Sequence, residues 1–218
     1  MSLVENLENI QKSIPEHVTL VAVSKTQPIS AIQTLYDAGQ RIFGENKVQE
    51  MVAKYEHLPK DIQWHMIGHL QKNKVKYMAS FVHLIHSVDS FDLLKEINKQ
   101  AAKHDRVIDC LLQIHIAQEE TKFGMDEQEA ESLLEVYKSE FPHVKVVGLM
   151  GMATFTEDES QVRKEFNFLK SIFVKLKSRY TDLEVLSMGM SGDFQMAIEE
   201  GSTMVRVGSS IFGERIYS

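Results

Sequence analysis

Eight short apolar, β-branched runs recur along this chain, and an amphipathic segment separates each from the next. The runs are Thr19–Ser24, Arg41–Gly44, Ile62–Met66, His83–Ser87, Ile108–Ile116, Val144–Leu149, Leu183–Ser187 and Thr203–Val207. They have the length and composition of strands rather than helices. The segments between them, 28–38, 46–56, 71–80, 90–104, 126–139, 158–178 and 193–200, space their apolar residues as helices do. Start signals precede several of these: Pro28, the Asp89/Ser90 pair, and Thr156 with Asp158. A further amphipathic helix leads the chain, with Leu3, Leu7, Ile10 and Ile14 on one face. This is the element count of an α/β chain closed as a (β/α)8 TIM barrel with an extra N-terminal helix. The leading helix is expected to fill the slot of an eighth trailing helix. A doubly wound open sheet would need a glycine-rich turn after the first strand, and Ser24-Lys25-Thr26-Gln27-Pro28 has no glycine. No repeat or Pro/Gly-rich linker breaks the alternation, so residues 1–218 read as a single domain.

Composition narrows the function classes. Hydrophobic residues make up 43% and charged residues 25%, enough apolar material for a sizeable core. A net charge of −7 with no basic stretch argues against nucleic-acid partners. The lysines of Lys72–Lys76 and of Lys170–Lys177 alternate with apolar residues and read as solvated helix faces. No stretch approaches the ~20 apolar residues of a membrane span, and the N-terminus lacks a secretory pattern, so a cytoplasmic protein is expected. Cys110, the one cysteine, lies within an apolar run and reads as a buried structural thiol.

Strand parity places side chains. Val21, Val23 and Lys25 share one face of the first strand, opposite Leu20, Ala22 and Ser24. In the fifth, Ile108, Cys110, Leu112, Ile114 and Ile116 form an apolar face expected to pack on helices. Asp109, Leu111, Gln113 and His115 then face the lumen. Active sites of this fold lie at the C-terminal ends of the strands, which directs attention to the residues just after each run.

Two features stand out there. Lys25 closes the first run on the lumen-facing parity. It is either one more surface charge, or an amine whose lone pair low-dielectric surroundings free for imine formation. The loops after strands seven and eight carry Gly189, Gly192 and Gly208 with Ser191, Ser209 and Ser210. Such glycines serve tight turns, but two adjacent loops of this chemistry at this place in a barrel suit a phosphate. A lysine and a phosphate loop are together the parts that hold a phosphorylated aldehyde. His65 and His69 are spaced for a metal on a helix, but Gly68 intervenes and no third ligand is evident, so no metal site is expected. His83, His86, His104 and His143 read as surface or packing residues. Met150, Met152, Met188 and Met190 read as gap-fillers, or as soft packing for a flat ligand.

The motifs that carry a resemblance are Ala22-Val-Ser-Lys-Thr26, Phe43-Gly-Glu-Asn46, Trp64-His-Met-Ile-Gly-His-Leu-Gln71, Glu119-Glu-Thr-Lys122, Gly148-Leu-Met-Gly-Met152, Leu186-Ser-Met-Gly-Met-Ser191 and Gly201-Ser-Thr-Met-Val-Arg-Val-Gly208. Across its whole length the chain resembles the YggS/PROSC family of pyridoxal 5′-phosphate (PLP) homeostasis proteins, whose barrel is that of fold-type III PLP enzymes such as alanine racemase. The resemblance implies that Lys25 forms an aldimine with PLP and that Asn46 lies beside the lysine and the ring. It places Arg206 at the pyridine nitrogen, and Ser191, Gly208 and Ser209 at the phosphate. His115 departs from the family pattern, which has Asn there.

The favoured expectation is a PLP-binding protein of vitamin B6 homeostasis, with no catalytic residues and no turnover of its own. It would be a monomer whose partners are PLP and, as recipients, PLP-dependent apo-enzymes. An arginine at the ring nitrogen weakens the ring as an electron sink. The ten residues after Gly208 also leave no room for the β domain that brings racemases their second base. The alternatives are a PLP-dependent racemase or lyase of weak activity, and a lysine-imine aldolase acting on sugar phosphates.

Overall fold

The computed structural model describes residues 2–119 and 122–213. Eight parallel strands close on themselves in sequence order, β1 pairing with both β2 and β8. They are β1 Thr19–Val23, β2 Ile42–Glu45, β3 Gln63–Met66, β4 Leu84–Val88, β5 Ile108–Gln113, β6 Val144–Met150, β7 Val185–Met190 and β8 Met204–Val207. The helices are α1 Leu3–Ser13, α2 Ile29–Asp37, α3 Val48–His57, α4 Val75–Met78, α5 Phe91–Lys103, α6 Glu127–Glu140, α7 Glu159–Lys177, α8 Phe194–Glu199 and α9 Ser209–Phe212. The chain is the expected TIM barrel with an added N-terminal helix. None of the described helices is long and apolar enough to cross a membrane.

Local chemistry explains several helix starts. Ser2 and Glu5 form a capping box on α1, and Asp126 and Glu129 do the same on α6. Ser90 caps α5 and Asp158 caps α7, as the sequence signals require. The segment 71–80 shortens to a 3₁₀ turn, Lys72–Lys74, followed by the four-residue α4. α1 packs against α2 and α9, and the Asn6 amide donates to the Ile211 carbonyl at 3.0 Å. The trailing slot is therefore shared between α1 and the four-residue α9, which the sequence pattern did not separate from the strand-eight turn.

The core has two parts. Phe43, Trp64, Leu112, Phe166 and their neighbours fill the shell between strands and helices. Inside the barrel Val21, Leu84, Leu111, Val147, Met150 and Met204 pack on one another. β5 follows the expected parity: Ile108, Cys110, Leu112, Ile114 and Ile116 belong to the outer shell, Leu111 to the lumen. The strand ends at Gln113, three residues early; the Ile114 N–H still donates to the Met150 carbonyl of β6 at 2.8 Å, and Ile114 pairs with Met125 in an isolated bridge.

Candidate functional site

Barrel closure sets Val21 opposite Arg206 and Ala22 opposite Val207 on adjacent strands. Lys25, just beyond β1, thus stands beside the loop that leaves β8. A cavity of about 380 Å³ opens at this place, within the ~300–1,000 Å³ range of small-molecule sites. Its described lining includes all six residues that the family resemblance assigns to the cofactor, Lys25, Asn46, Ser191, Arg206, Gly208 and Ser209, and also Gly192, but neither Gly189 nor Ser210. A larger groove, about 680 Å³, runs between α5 and α6, but Asp89, Asp126, Glu129 and Glu140 line it, and their charge repels a phosphate.

Buried ions fix the turn that carries Lys25. The Lys54 ammonium, on α3, donates to the Ser24 carbonyl, to Glu45 and to Glu50, each at 2.7 Å. The Ser24 hydroxyl donates to the same Glu45 oxygen at 2.6 Å, and Glu50 accepts the Thr26 N–H at 2.5 Å. Thr26 has φ of +65°, a left-handed backbone that a β-branched residue adopts only when its surroundings impose it. Burial pushes the Glu45 carboxyl up, while Lys54 and the Ser24 hydroxyl pull it down.

Asn46 follows β2 directly. Gly68 lies against it so closely that a Cβ there would sit 2.4 Å from the Asn46 carbonyl oxygen. The loops after β7 and β8 are tied together by the Gly208 N–H, which donates to the Ser191 hydroxyl at 2.9 Å. Gly189, with φ of +97°, makes the bend that brings Ser191 there, and a Cβ on it would meet Ala197 at 2.6 Å. Asp193 accepts the Met190 N–H at 2.6 Å, and burial raises its carboxyl.

Arg206 is 3% exposed. A guanidinium carries five N–H donors. One goes to the Ser187 hydroxyl at 2.5 Å and one to the Gly151 carbonyl at 3.1 Å, and the rest have no acceptor among the described residues. Among the described residues no carboxylate forms an ion pair with it; burial brings its pKa down to about 10 against a smaller upward pull from Asp193, so it keeps its charge at neutral pH. A buried cation with donors unspent suits a cavity whose occupant brings acceptors.

Some expectations need correcting. His86 is not a bystander: it is fully buried in the lumen and lies 3.0 Å from both His65 and the Ser187 hydroxyl. His115 is not in the described lining. Its ring lies 3.0 Å from the Glu119 carbonyl within the loop after β5. Residues 120 and 121 of the Glu119–Lys122 motif lie outside the described residues. Met152 and Met190 line the cavity, whereas Met150 packs in the lumen and Met188 in the outer shell. Phe155, which the sequence did not single out, lines the cavity and is 96% exposed. Bonds among Thr154, Glu119, Glu165 and Gln118 pin the backbone around it.

Residues 1–216 match the family described as alanine racemase, N-terminal domain. Named relatives cover nearly the whole chain. The pyridoxal phosphate homeostasis protein of Aquifex aeolicus is 44% identical over 97% of this chain and 96% of its own. That of Escherichia coli K12 is 40% identical over 94% and 88%. Among solved structures, PipY of Synechococcus elongatus without PLP superposes with a TM-score of 0.92 at 34% identity, over 97% of this chain and 100% of that one. PipY with PLP bound gives 0.89 at the same identity and coverage. An alanine racemase of Clostridium difficile, 16% identical, shares the fold over 57% of its length, with a TM-score of 0.81.

Proposed function

The chain belongs to the YggS/PROSC family of pyridoxal phosphate homeostasis proteins, built on the alanine racemase N-terminal-domain barrel, and on that premise we propose that it binds PLP at the mouth of its barrel and serves B6 homeostasis without turnover of its own. When bound, PLP supplies an aldehyde carbon open to a lysine amine and a phosphate that takes hydrogen bonds. The observation that carries the reading is Arg206, a buried guanidinium with unspent donors lining the same cavity as Lys25.

Each residue then has its task. Lys25 brings the amine, on a turn that the Lys54 ions hold in place. Arg206 would donate to the ring nitrogen, and Asn46 would lie beside the lysine and the ring. Ser191, Ser209 and the amides about Gly208 hold the phosphate. Two features support binding over turnover. An arginine at the ring nitrogen favours its unprotonated form, which withdraws electrons weakly. Lys25 and Arg206 are the titratable side chains of the described lining, and Arg206 stays charged at neutral pH, which leaves Lys25 to exchange a proton with a substrate; Gln27, Asn46, the serines and the methionines are poor acids and bases. On this reading residues 1–218 act as one domain, a cytoplasmic monomer that passes PLP to apo-enzymes.

The test is the ultraviolet–visible spectrum with PLP, before and after borohydride, for the protein and for Lys25→Ala. A band that borohydride bleaches in the first and that is absent from the second supports the reading. Spectra of free PLP alone in both would end it. Turnover of an amino acid at ~1–10³ s⁻¹, the usual enzyme range, would replace the binding role by catalysis.

A further inference from the structure

A line of polar side chains runs along the barrel lumen below the cavity. His65 on β3, His86 on β4 and Ser187 on β7 are all buried, and Arg206 on β8 ends the line at the lining. Nδ1 of His65 lies 3.0 Å from Nε2 of His86, and Nδ1 of His86 lies 3.0 Å from the Ser187 oxygen. Arg206 Nη1 donates to that oxygen at 2.5 Å.

The direction of the line follows from counting donors. A guanidinium only donates, so the Ser187 oxygen accepts from Arg206 and must place its own hydrogen elsewhere. Given to His86 Nδ1, that hydrogen puts the imidazole proton on Nε2, which donates to His65 Nδ1. His65 then carries its proton on Nε2, a buried atom with no partner. In this direction one polar atom is left unpaired. In the other, His86 Nδ1–H donates to Ser187, and the serine hydrogen has no acceptor as well as His65 Nε2 having no donor. Buried polar groups are nearly always paired, so the first direction wins. Burial keeps both rings neutral, with His65 lowered to about 3 and His86 lowered well below its ordinary value.

We propose that Ser187, His86 and His65 form a one-way hydrogen-bond chain through the lumen that fixes Arg206 as a donor to the cavity, which makes Ser187 and His86 positioning residues of the ligand site. The chain replaces a carboxylate. A carboxylate beside Arg206 would hold the guanidinium firmly, but its charge would offset the cation offered to the ligand. A neutral hydroxyl backed by a neutral imidazole orients the donor and leaves its charge intact.

This rests on reading the cavity as a PLP site, and two measurements separate the ideas. Nitrogen-15 NMR of the histidine-labelled protein without PLP reports tautomers with no ligand involved. Both His65 and His86 should be neutral and protonated at Nε2 at pH 7. Finding His86 protonated at Nδ1 would overturn the chain whatever the protein binds. Ser187→Ala should then weaken PLP binding about tenfold, by removing the acceptor from a buried donor. It should also displace the absorbance maximum of bound PLP, which a merely structural serine would not do. A variant with the parent's dissociation constant and absorbance maximum would equally overturn the proposal. Should the parent protein bind no PLP, the functional reading falls, and the tautomers alone decide the chain.

Discussion

The Lys54 ammonium lies 2.7 Å from the carbonyl oxygen of Ser24, the residue before Lys25. Lys54 is 5% and Glu45 0% exposed, so this is an interior ion pair placed under the turn that holds Lys25. Its geometry ties α3 to the ends of β1 and β2 in one contact.

Lys54→Met removes one partner and strands the Glu45 carboxylate. Breaking a buried pair in this way costs about 3–5 kcal/mol. Urea denaturation should show the loss, together with poorer PLP capture from the loosened Lys25 turn. A loss under about 1 kcal/mol would mean that water reaches Glu45 and that the pair is not a structural clamp.

Gly68→Ala tests the approach of Asn46 to the site. A Cβ at 2.4 Å from the Asn46 oxygen and 2.6 Å from its Cα forces backbone to move. Overpacking of this kind costs about 1–3 kcal/mol. The melting temperature and PLP affinity should fall together, and unchanged affinity would take Asn46 out of the binding site.

Acid should destabilise the fold through the lumen histidines. Unfolded, each takes a proton near 6.5, whereas folded His65 does so only near 3 and His86 also well below its ordinary value. Below pH 6.5 the unfolded chain therefore binds more protons, and stability drops as pH falls toward 3. At about 1.4 kcal/mol per unit, His65 alone removes about 2 kcal/mol by pH 5, and His86 adds to the loss in the same direction. Urea midpoints measured at pH 7 and pH 5 should differ accordingly, and His86→Gln should reduce the difference. A midpoint that stays level in the parent protein would show that the rings are not held neutral.

Phe155→Ala concerns retention rather than stability. The side chain is 96% exposed, so the fold should lose no more than about 0.5 kcal/mol. The residue lines the cavity on a pinned backbone, and loss of its ring should speed PLP dissociation in stopped-flow absorbance. An unchanged off-rate would leave Phe155 as an ornament of the rim.

Where the sequence was legible, one periodic signal carried the reading. The alternation in β5 separated shell from lumen residue by residue, because a strand's two faces follow parity alone. Lys25, Asn46, Ser191, Arg206, Gly208 and Ser209 came from strand ends and family motifs, and the fold brings all six to one cavity. His86 stayed hidden because its partners are 21 and 101 residues away, joined through strand neighbours that no local pattern shows. Glu50 and Lys54 have helical spacing, but Glu45 joins them only through the β2–α3 turn. Phe155 was missed because a single exposed aromatic carries no period at all.

The pairing of β1 with β8 also orders events in time. As the ribosome extends the chain, Lys25 emerges first, and Arg206 follows about 180 residues later, some ten seconds or more at ~5–20 residues per second. Throughout that interval the Lys25 amine exists without the Arg206 guanidinium and the loops after β7 and β8 that share its cavity. If the site is as proposed, the nascent chain lacks half of its binding groups until then, and firm retention of PLP would begin only once the last strand has closed the ring.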